Sequence, residues 1–259
     1  MVDVDPTAMQ RELYAAGEYY GLSAVLAPAA EVLVAAAEVA AGDRVLDVAA
    51  GDGNVALAAA ARAAQVAATD LSEVQVQRGR ARCERAGSAV AWSTADARRL
   101  PFRDGSFDHV LSAFGAVLAP DPQVVARELF RVCVPGGVVA LTAWPRDSYM
   151  GTLTSAFADL LGEAAIPDRD HGWGDEATVR ARLAPYATQL ALRRHTLAWD
   201  PVVRAAAGAA DCAGAYLRSR VAADRLGDVA ATRDAVESRF RTADGLIAAS
   251  YAVIVARAR

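Results

Sequence analysis

Short apolar runs alternate with helical patterns along the middle of the chain. Five runs are short and rich in β-branched residues, which predicts buried strands. They are residues 44–49, 65–69, 90–93, 107–113 and 138–143. The helical patterns between them are residues 54–64, 73–86 and 122–133. Strands that alternate with helices over short links predict a parallel sheet with helices on both of its faces.

The pattern changes on either side of this alternation. The flanking elements that it predicts are two N-terminal helices at 9–20 and 23–41, separated near Gly21, then loop and helix at 145–185, a strand at 189–199, a mostly helical stretch at 201–241 and a last strand at 246–256. The whole chain then predicts an α/β fold with a mostly parallel, seven-stranded sheet. We expect three parts within one compact domain: an N-terminal helical lid at 1–43, a core at 44–144, and a second lid with the final strands at 145–259.

Composition and charge narrow the possible classes of protein. The chain has 259 residues, of which 54% are hydrophobic, so it can bury a substantial core. Its net charge of −4 argues against a nucleic-acid partner, since such proteins usually carry a basic face. The most apolar early run, 24–41, contains Pro28, Glu31 and Glu38, which indicates an amphipathic helix rather than a membrane span. We therefore expect no membrane contact.

Two features of the residue usage bear on chemistry. The three cysteines show no close metal-ligand spacing, so we expect buried thiols in a cytoplasmic protein and no metal site. The chain contains no lysine, which excludes Schiff-base chemistry and a Walker A phosphate loop. Its arginine-only, alanine-rich usage is typical of a GC-rich bacterial genome.

Small residues follow the first predicted strand. The segment reads Val45-Leu-Asp-Val-Ala-Ala-Gly-Asp-Gly-Asn54. Small side chains at Ala49, Gly51 and Gly53 let a ligand approach the backbone, next to the free N–H groups of a helix N-terminus. Asp70 ends the second strand, where a carboxylate can accept both hydroxyls of a ribose. In an open parallel sheet, ligands bind beyond the carboxyl ends of the strands, so this segment predicts a cofactor site.

Two cofactors fit this segment. Gly51-x-Gly53-x-x-Ala56 matches the dinucleotide fingerprint, with Asp70 near the expected distance, so an NAD-dependent oxidoreductase is one alternative. Asp47 lies inside the first strand, where an acid does not help to bind a pyrophosphate. Its carboxylate could instead serve the ammonium group of a methionine tail, which favours S-adenosylmethionine.

Further segments make the sequence resemble the class I S-adenosylmethionine-dependent methyltransferases. The matching segments are Val45–Gly53, Ala68–Ser72, Thr94–Ala97 with Leu100–Phe102, Ser106–Val110 and Arg131–Gly137. Each is short, but all occur in the family's order. The resemblance implies a Rossmann-like fold with N-terminal helices and a helical lid inserted before the last strands. It also implies S-adenosylmethionine as cofactor, S-adenosylhomocysteine as product, and methyl transfer to oxygen, nitrogen or carbon.

The resemblance assigns roles to matched positions. Asp47 would serve the methionine end, Asp70 would hold the ribose, and Asp96 would accept from the adenine amino group. The other positions would line the amino-acid tail, pack on the base or face the methionine; they are Ala49, Gly51 and Gly53, then Leu71 and Ala97, then Ser112 and Ala113. Ala49 replaces the family's usual first glycine, so its added methyl group should shift the tail slightly.

The acceptor side gives fewer signals. Phe114 and Trp144 follow the fourth and fifth strands, so we expect them in the acceptor pocket. His171, in His171-Gly-Trp-Gly174, is the best-placed candidate base, and Tyr20 is a candidate cofactor contact from the N-terminal helices. The fourth strand lacks the Asn/Asp-Pro-Pro-aromatic motif of methylases that act on nucleic acids or glutamine, which favours a small-molecule acceptor, as in bacterial specialised metabolism. A non-catalytic protein that binds S-adenosylmethionine is a further alternative, and the oligomeric state stays open.

Overall fold

A computed structural model of the chain describes residues 20–161, 172–201 and 225–259, which contain one seven-stranded sheet. The strands are β1 (Arg44–Val48), β2 (Gln65–Asp70), β3 (Val90–Thr94), β4 (Phe107–Ala113), β5 (Cys133–Ala143), β6 (Ala187–Trp199) and β7 (Ile247–Ala258). Their spatial order is β3-β2-β1-β4-β5-β7-β6. The first five strands are parallel, and β7 is antiparallel to both of its neighbours. The predicted mostly parallel, seven-stranded α/β sheet is confirmed.

Helices cover both faces of this sheet. They are α1 (Tyr20–Ala36), α2 (Asn54–Ala60), α3 (Glu73–Arg85), α4 (Pro122–Val132), α5 (Tyr149–Leu161), α6 (Glu176–Leu183) and α7 (Leu226–Phe240). One apolar cluster joins α1, α2, α3, α5 and α7 to the sheet through residues such as Leu33 and Val55, and a second joins α4 and α6 through residues such as Leu129 and Leu183. Each fully buried leucine contributes roughly 2 kcal/mol. None of the described helices is both long and apolar enough to cross a membrane.

The structure corrects the first predicted helix boundary. Gly21, near which a break was expected, lies inside α1, which begins at Tyr20 among the described residues. The helix ends at Ala36 rather than Ala41, since Glu38 adopts a left-handed φ of 57° that no helix can continue. The Val39 N–H then donates back to the Val34 carbonyl at 3.4 Å, which closes the helix end.

The fifth strand also differs from its prediction. It begins at Cys133 rather than Val138. Pro135-Gly136-Gly137 therefore lies within β5, whereas the sequence predicted a turn before the strand. The pairing of β5 with β4 shifts register there, between Phe107 and His109. A Cβ at Gly137 would lie 2.7 Å from the Asp108 carbonyl oxygen, so only glycine allows the irregular strand to pack this closely.

The sheet topology places a ligand crevice at β1. This strand pairs with β2 on one side and β4 on the other, so the chain turns in opposite directions from it. Open α/β sheets bind ligands at such a switch point, beyond the carboxyl ends of the strands. The antiparallel β7 between β5 and β6 departs from the 3-2-1-4-5-6 order of dinucleotide-binding sheets, which argues against the NAD-dependent alternative.

Candidate functional site

The segment between β1 and α2 forms a loop with an unusual backbone, here called the glycine loop (residues 49–54). Ala49, Gly51 and Gly53 adopt left-handed φ angles of 54°, 56° and 93°. Holding the alanine in this region costs about 1 kcal/mol. A Cβ at Gly51 would meet nothing within 4 Å, whereas one at Gly53 would lie 2.9 Å from the Trp92 ring. Gly51 therefore faces open space where a ligand can approach the backbone.

Asp47 lies near the end of β1, just before this loop, and only one of its two carboxylate oxygens has a hydrogen-bond partner among the described residues. The residue is 1% exposed, and its Oδ2 accepts a hydrogen bond from the Ala56 N–H at 2.9 Å. Its Oδ1 has no hydrogen-bond partner among the described residues. Burial raises the pKa of Asp47 well above its ordinary value, and the charges of Asp70 and Asp52 add to this, while the Ala56 hydrogen bond opposes it. A cationic ligand group beside Oδ1 would offset this cost, as the ammonium of S-adenosylmethionine would do.

Asp70 joins the end of β2 to the glycine loop. Its Oδ2 accepts from the Gly51 N–H at 2.8 Å, and its Oδ1 accepts from the Ser72 N–H at 2.9 Å. Burial raises the pKa of Asp70, and the hydrogen bonds from Ser72, Gly51 and Leu71 oppose that rise. Each carboxylate oxygen keeps a second lone pair, so both can also accept from ribose hydroxyls. The half-buried Leu71 follows directly in sequence.

Asp96, after β3, is held by an arginine. The Arg98 guanidinium donates to both carboxylate oxygens, at 2.7 Å from Nη2 to Oδ2 and 3.1 Å from Nε to each. Arg98 also reaches Asp121 at 3.2 Å, which bridges the loops after β3 and β4. An adenine amino group would therefore share the Asp96 carboxylate with Arg98. Ala97 is buried in the apolar cluster beneath α4.

The end of β4 contacts the glycine loop directly. A Cβ at Gly115 would lie 2.3 Å from the Ala49 carbonyl oxygen, so the two segments meet backbone to backbone. Phe114 has a left-handed φ of 59°, and its N–H donates to Thr142 Oγ1 at 3.0 Å. The Ser112 Oγ accepts from the Ala116 N–H at 2.9 Å, so it closes the turn after β4. Ala113, the last residue of β4, is half-buried.

Aromatic side chains cluster beside the carboxyl ends of β4 and β5 and form what we call the aromatic wall, residues Phe114, Trp144, Trp199 and Tyr251. Phe114 and Trp144 stack with ring centroids 4.2 Å apart and an interplanar angle of 10°. Tyr251 meets Phe114 edge to face at 5.6 Å, and Trp199 meets Trp144 at 5.8 Å. Trp144 is half-buried and the other three are buried. The structure thus brings the two predicted pocket residues, Phe114 and Trp144, into contact. Two further aromatic residues, Trp199 from β6 and Tyr251 from β7, pack beside them.

Two predicted site residues cannot be placed in the same way. His171 lies outside the described residues. Tyr20 begins α1, but the structure does not describe its side chain. The residues that follow His171 are described, and they pack against the protein. Trp173 is fully buried beneath the Arg182 guanidinium, 4.5 Å from the ring centroid, and a Cβ at Gly174 would lie 2.2 Å from the Trp144 carbonyl oxygen. This segment therefore supports the backbone of the aromatic wall.

Comparisons with known proteins agree with this geometry. A family model described as a methyltransferase domain matches residues 45–137. The chain is 40% identical over 199 residues to the uncharacterized protein Rv1405c of Mycobacterium tuberculosis, an alignment that covers 73% of this chain and 70% of that protein. It is 42% identical over 140 residues to the ubiquinone/menaquinone biosynthesis C-methyltransferase UbiE of Roseobacter denitrificans, covering 50% and 56%. The crystal structure of the YcgJ protein from Bacillus subtilis shares the fold, with a TM-score of 0.63 at 21% identity over 89% of this chain and 97% of that one.

The matched region coincides with the elements that build the site. Residues 45–137 span β1, the glycine loop, Asp70, Asp96 and β4. S-adenosylmethionine is the cofactor of this family. These matches therefore favour S-adenosylmethionine over NAD as the cofactor. The chain belongs to the class I S-adenosylmethionine-dependent methyltransferases.

Proposed function

We propose that this enzyme methylates a small molecule with a flat, apolar ring that binds against the aromatic wall. The observation that carries the proposal is the Phe114–Trp144 stack at the carboxyl ends of β4 and β5. Phe114 precedes Gly115, whose backbone touches Ala49 of the glycine loop. A ring on the half-buried Trp144 would therefore lie next to the cofactor. The name of the UbiE relative, a quinone-biosynthesis C-methyltransferase, is consistent with such an acceptor.

The proposed cofactor contacts follow the geometry of the loop. Asp47 receives the ammonium group, and the backbone at Ala49, Gly51 and Gly53 lines the amino-acid tail. Asp70 accepts from the ribose hydroxyls. The remaining proposed contacts are Leu71, Asp96 and Ala97 around the adenine, and Ser112 and Ala113 beside the methionine.

The protein's own contribution to the reaction is mainly one of placement. Bound S-adenosylmethionine supplies an electrophilic methyl group. The aromatic wall orients the acceptor toward it and excludes water, both of which lower the barrier to an in-line transfer. Burial raises the pKa of Tyr251, so its hydroxyl stays protonated at neutral pH and cannot serve as a ready base. An acceptor that ionises easily, or that presents a nucleophilic carbon or nitrogen, suits this wall.

The proposal extends to the organisation of the chain. Residues 1–43 and the inserted helices after β5 serve as lids over the core at 44–144. The acceptor is a metabolite rather than a nucleic acid, in line with the net charge of −4, and the reaction takes place in the cytoplasm.

Acceptor turnover tests this proposal. The purified chain is incubated with S-adenosylmethionine and matched aromatic and aliphatic acceptors, and S-adenosylhomocysteine is measured. We expect turnover of the aromatic set. Trp144→Leu should raise the KM for an aromatic acceptor about tenfold through lost ring contact, while Kd for S-adenosylhomocysteine stays within twofold.

Phe102→Leu is the matched control, because Phe102 packs edge to face on Phe107 in the cluster on the other face of the sheet. It should change neither KM nor Kd. Turnover confined to aliphatic acceptors, or an unchanged KM in Trp144→Leu, would contradict the proposed acceptor class. Cofactor binding without turnover of any acceptor would favour the non-catalytic alternative.

A further inference from the structure

A polar cluster with a buried centre joins α1, the glycine loop and α3. Its members are Ser23 on α1, Asp52 and Asn54 in the loop, and Arg82 on α3, together called the loop clamp. The Ser23 hydroxyl donates to Asp52 Oδ1. Arg82 Nη1 lies 3.0 Å from the same Oδ1, 3.3 Å from the Asp52 carbonyl oxygen and 3.1 Å from Ser23 Oγ. One side chain of the loop is thus held from two helices at once.

A second connection ties the same helix to the loop. Asn54 Nδ2 donates to the Ser23 carbonyl oxygen at 2.8 Å, and the Ser23 and Asn54 side-chain oxygens lie 3.3 Å apart. Ser23 and Asp52 are 8% and 9% exposed, so water competes little for these bonds. A bond to a charged, buried partner is stronger than a neutral surface bond. The clamp is therefore a firm attachment of α1 to the loop.

The position of Asp52 explains why this attachment matters for the cofactor site. Asp52 stands between Gly51 and Gly53, both in left-handed conformations that a free chain rarely holds together. Asp70 holds Gly51 of the loop through its N–H at 2.8 Å. The clamp holds the next residue, Asp52. Between them, they fix the backbone that would line the amino-acid tail of the cofactor.

We propose that Ser23 and Arg82 are positioning residues for cofactor binding: by holding Asp52, they keep the glycine loop in its receptive shape and couple the docking of α1 to occupancy of the site. Neither residue has to touch the cofactor. The coupling is reciprocal, so bound cofactor must stabilise the docked α1 as much as docked α1 strengthens binding. The inference rests on the cofactor lying at the glycine loop, which Asp70→Ala tests separately.

Titration calorimetry with S-adenosylhomocysteine tests the role of the clamp. Ser23→Ala and Arg82→Met should each raise Kd about tenfold, because each removes a bond to the charged Asp52. The double variant should lose little more than either single variant, since both act through Asp52. Ser23→Thr keeps the hydroxyl and should bind within threefold of the unmodified protein. Arg85→Ala is the control on the same helix, where Arg85 donates to its own helix at Ala81, and should bind within twofold.

Hydrogen exchange supplies the second readout. S-adenosylhomocysteine should slow exchange of the α1 amides at 29–36 in the unmodified protein and in Arg85→Ala, but much less in Ser23→Ala. Unchanged Kd in Ser23→Ala and Arg82→Met would overturn the proposal. So would an equal loss in Ser23→Thr or Arg85→Ala, or thermal unfolding of Ser23→Ala at the assay temperature. Loss of affinity in Asp70→Ala with normal binding in Ser23→Ala would reject the clamp and leave the cofactor site intact.

Discussion

Replacement of Asp70 tests the cofactor site at its proposed contact with the ribose. Asp70→Ala removes the proposed acceptor for the ribose hydroxyls. A hydrogen bond to a charged group contributes roughly 1.5–3 kcal/mol, so one lost bond weakens S-adenosylmethionine binding at least about tenfold and two weaken it about a hundredfold or more. The change also strips the Gly51 and Ser72 N–H groups of their acceptor, at 2.8 and 2.9 Å. We therefore expect the free energy of unfolding to fall by roughly 2 kcal/mol as well.

Calorimetric titration and urea unfolding measure the two effects separately. Asp108→Ala is the matched control, because Asp108 lies at the opposite, amino end of the sheet and pairs with Arg44 at 2.8 Å. That pair is half exposed and contributes at most about 1 kcal/mol, so the control should leave cofactor affinity unchanged. If Asp70→Ala binds S-adenosylmethionine within twofold of the unmodified protein, the ribose assignment is refuted.

Three further predictions concern the buried Asp47 and two glycines that lie close to neighbouring groups. Asp47→Asn should weaken cofactor binding at least tenfold yet raise the free energy of unfolding by about 1 kcal/mol at pH 8, because burial disfavours the ionised form of this carboxyl group; calorimetry and urea unfolding check this. Gly79→Ala should destabilise the fold by about 2 kcal/mol, because its Cβ would lie 2.2 Å from the Trp92 ring, and thermal unfolding measures the loss. Gly174→Ala should displace the Trp144 backbone and alter the near-ultraviolet circular dichroism of its stack, without changing cofactor affinity.

The stability effect at Asp47 has a defined pH dependence. Burial holds the folded-state pKa of Asp47 above its unfolded value of about 4. The folded protein then binds this proton more tightly than the unfolded chain, so stability falls as pH rises from about 4 through the folded pKa. The advantage of Asp47→Asn should therefore be small near pH 4 and grow toward pH 8. A constant difference across this range would contradict the assigned cause.

Controls separate the glycine predictions from general effects of added methyl groups. Gly227 lies in α7, and a Cβ there would meet nothing within 4 Å. Gly227→Ala should leave the protein as stable as before or slightly more stable, since alanine favours the helix. Equal destabilisation by Gly227→Ala and Gly79→Ala would refute the role given to the Trp92 contact.

Periodicity in the sequence predicted most of the core fold, because strand and helix patterns are local. The ends of β4 at Phe107 and Ala113 were predicted correctly, and the other core strands within a few residues, apart from the start of β5. That error had a physical reason. Pro135-Gly136-Gly137 is typical of a turn, and only the neighbouring β4 backbone shows that the segment continues as an irregular strand.

Contacts between distant residues could not be predicted from local pattern. Ser23 and Asp52 are 29 residues apart, and nothing in either segment indicates their pairing. In the sequence, Tyr251 is one of many apolar positions in a predicted strand. Its ring contacts Phe114 only because β7 lies beside β5 in the sheet. Likewise, the ion pair between Arg98 and Asp96 depends on side-chain geometry in a loop. The proposed cofactor loop consists of adjacent residues, so a local sequence pattern can predict it, whereas the proposed acceptor side is assembled from separate strands.

Calorimetric titration of the purified chain with S-adenosylmethionine, S-adenosylhomocysteine and NAD tests the central claim most directly. The geometry of Asp47, the glycine loop and Asp70 predicts micromolar binding of the first two ligands and none of NAD. Binding of NAD alone, with no heat from either sulfur compound, would contradict the account of this site.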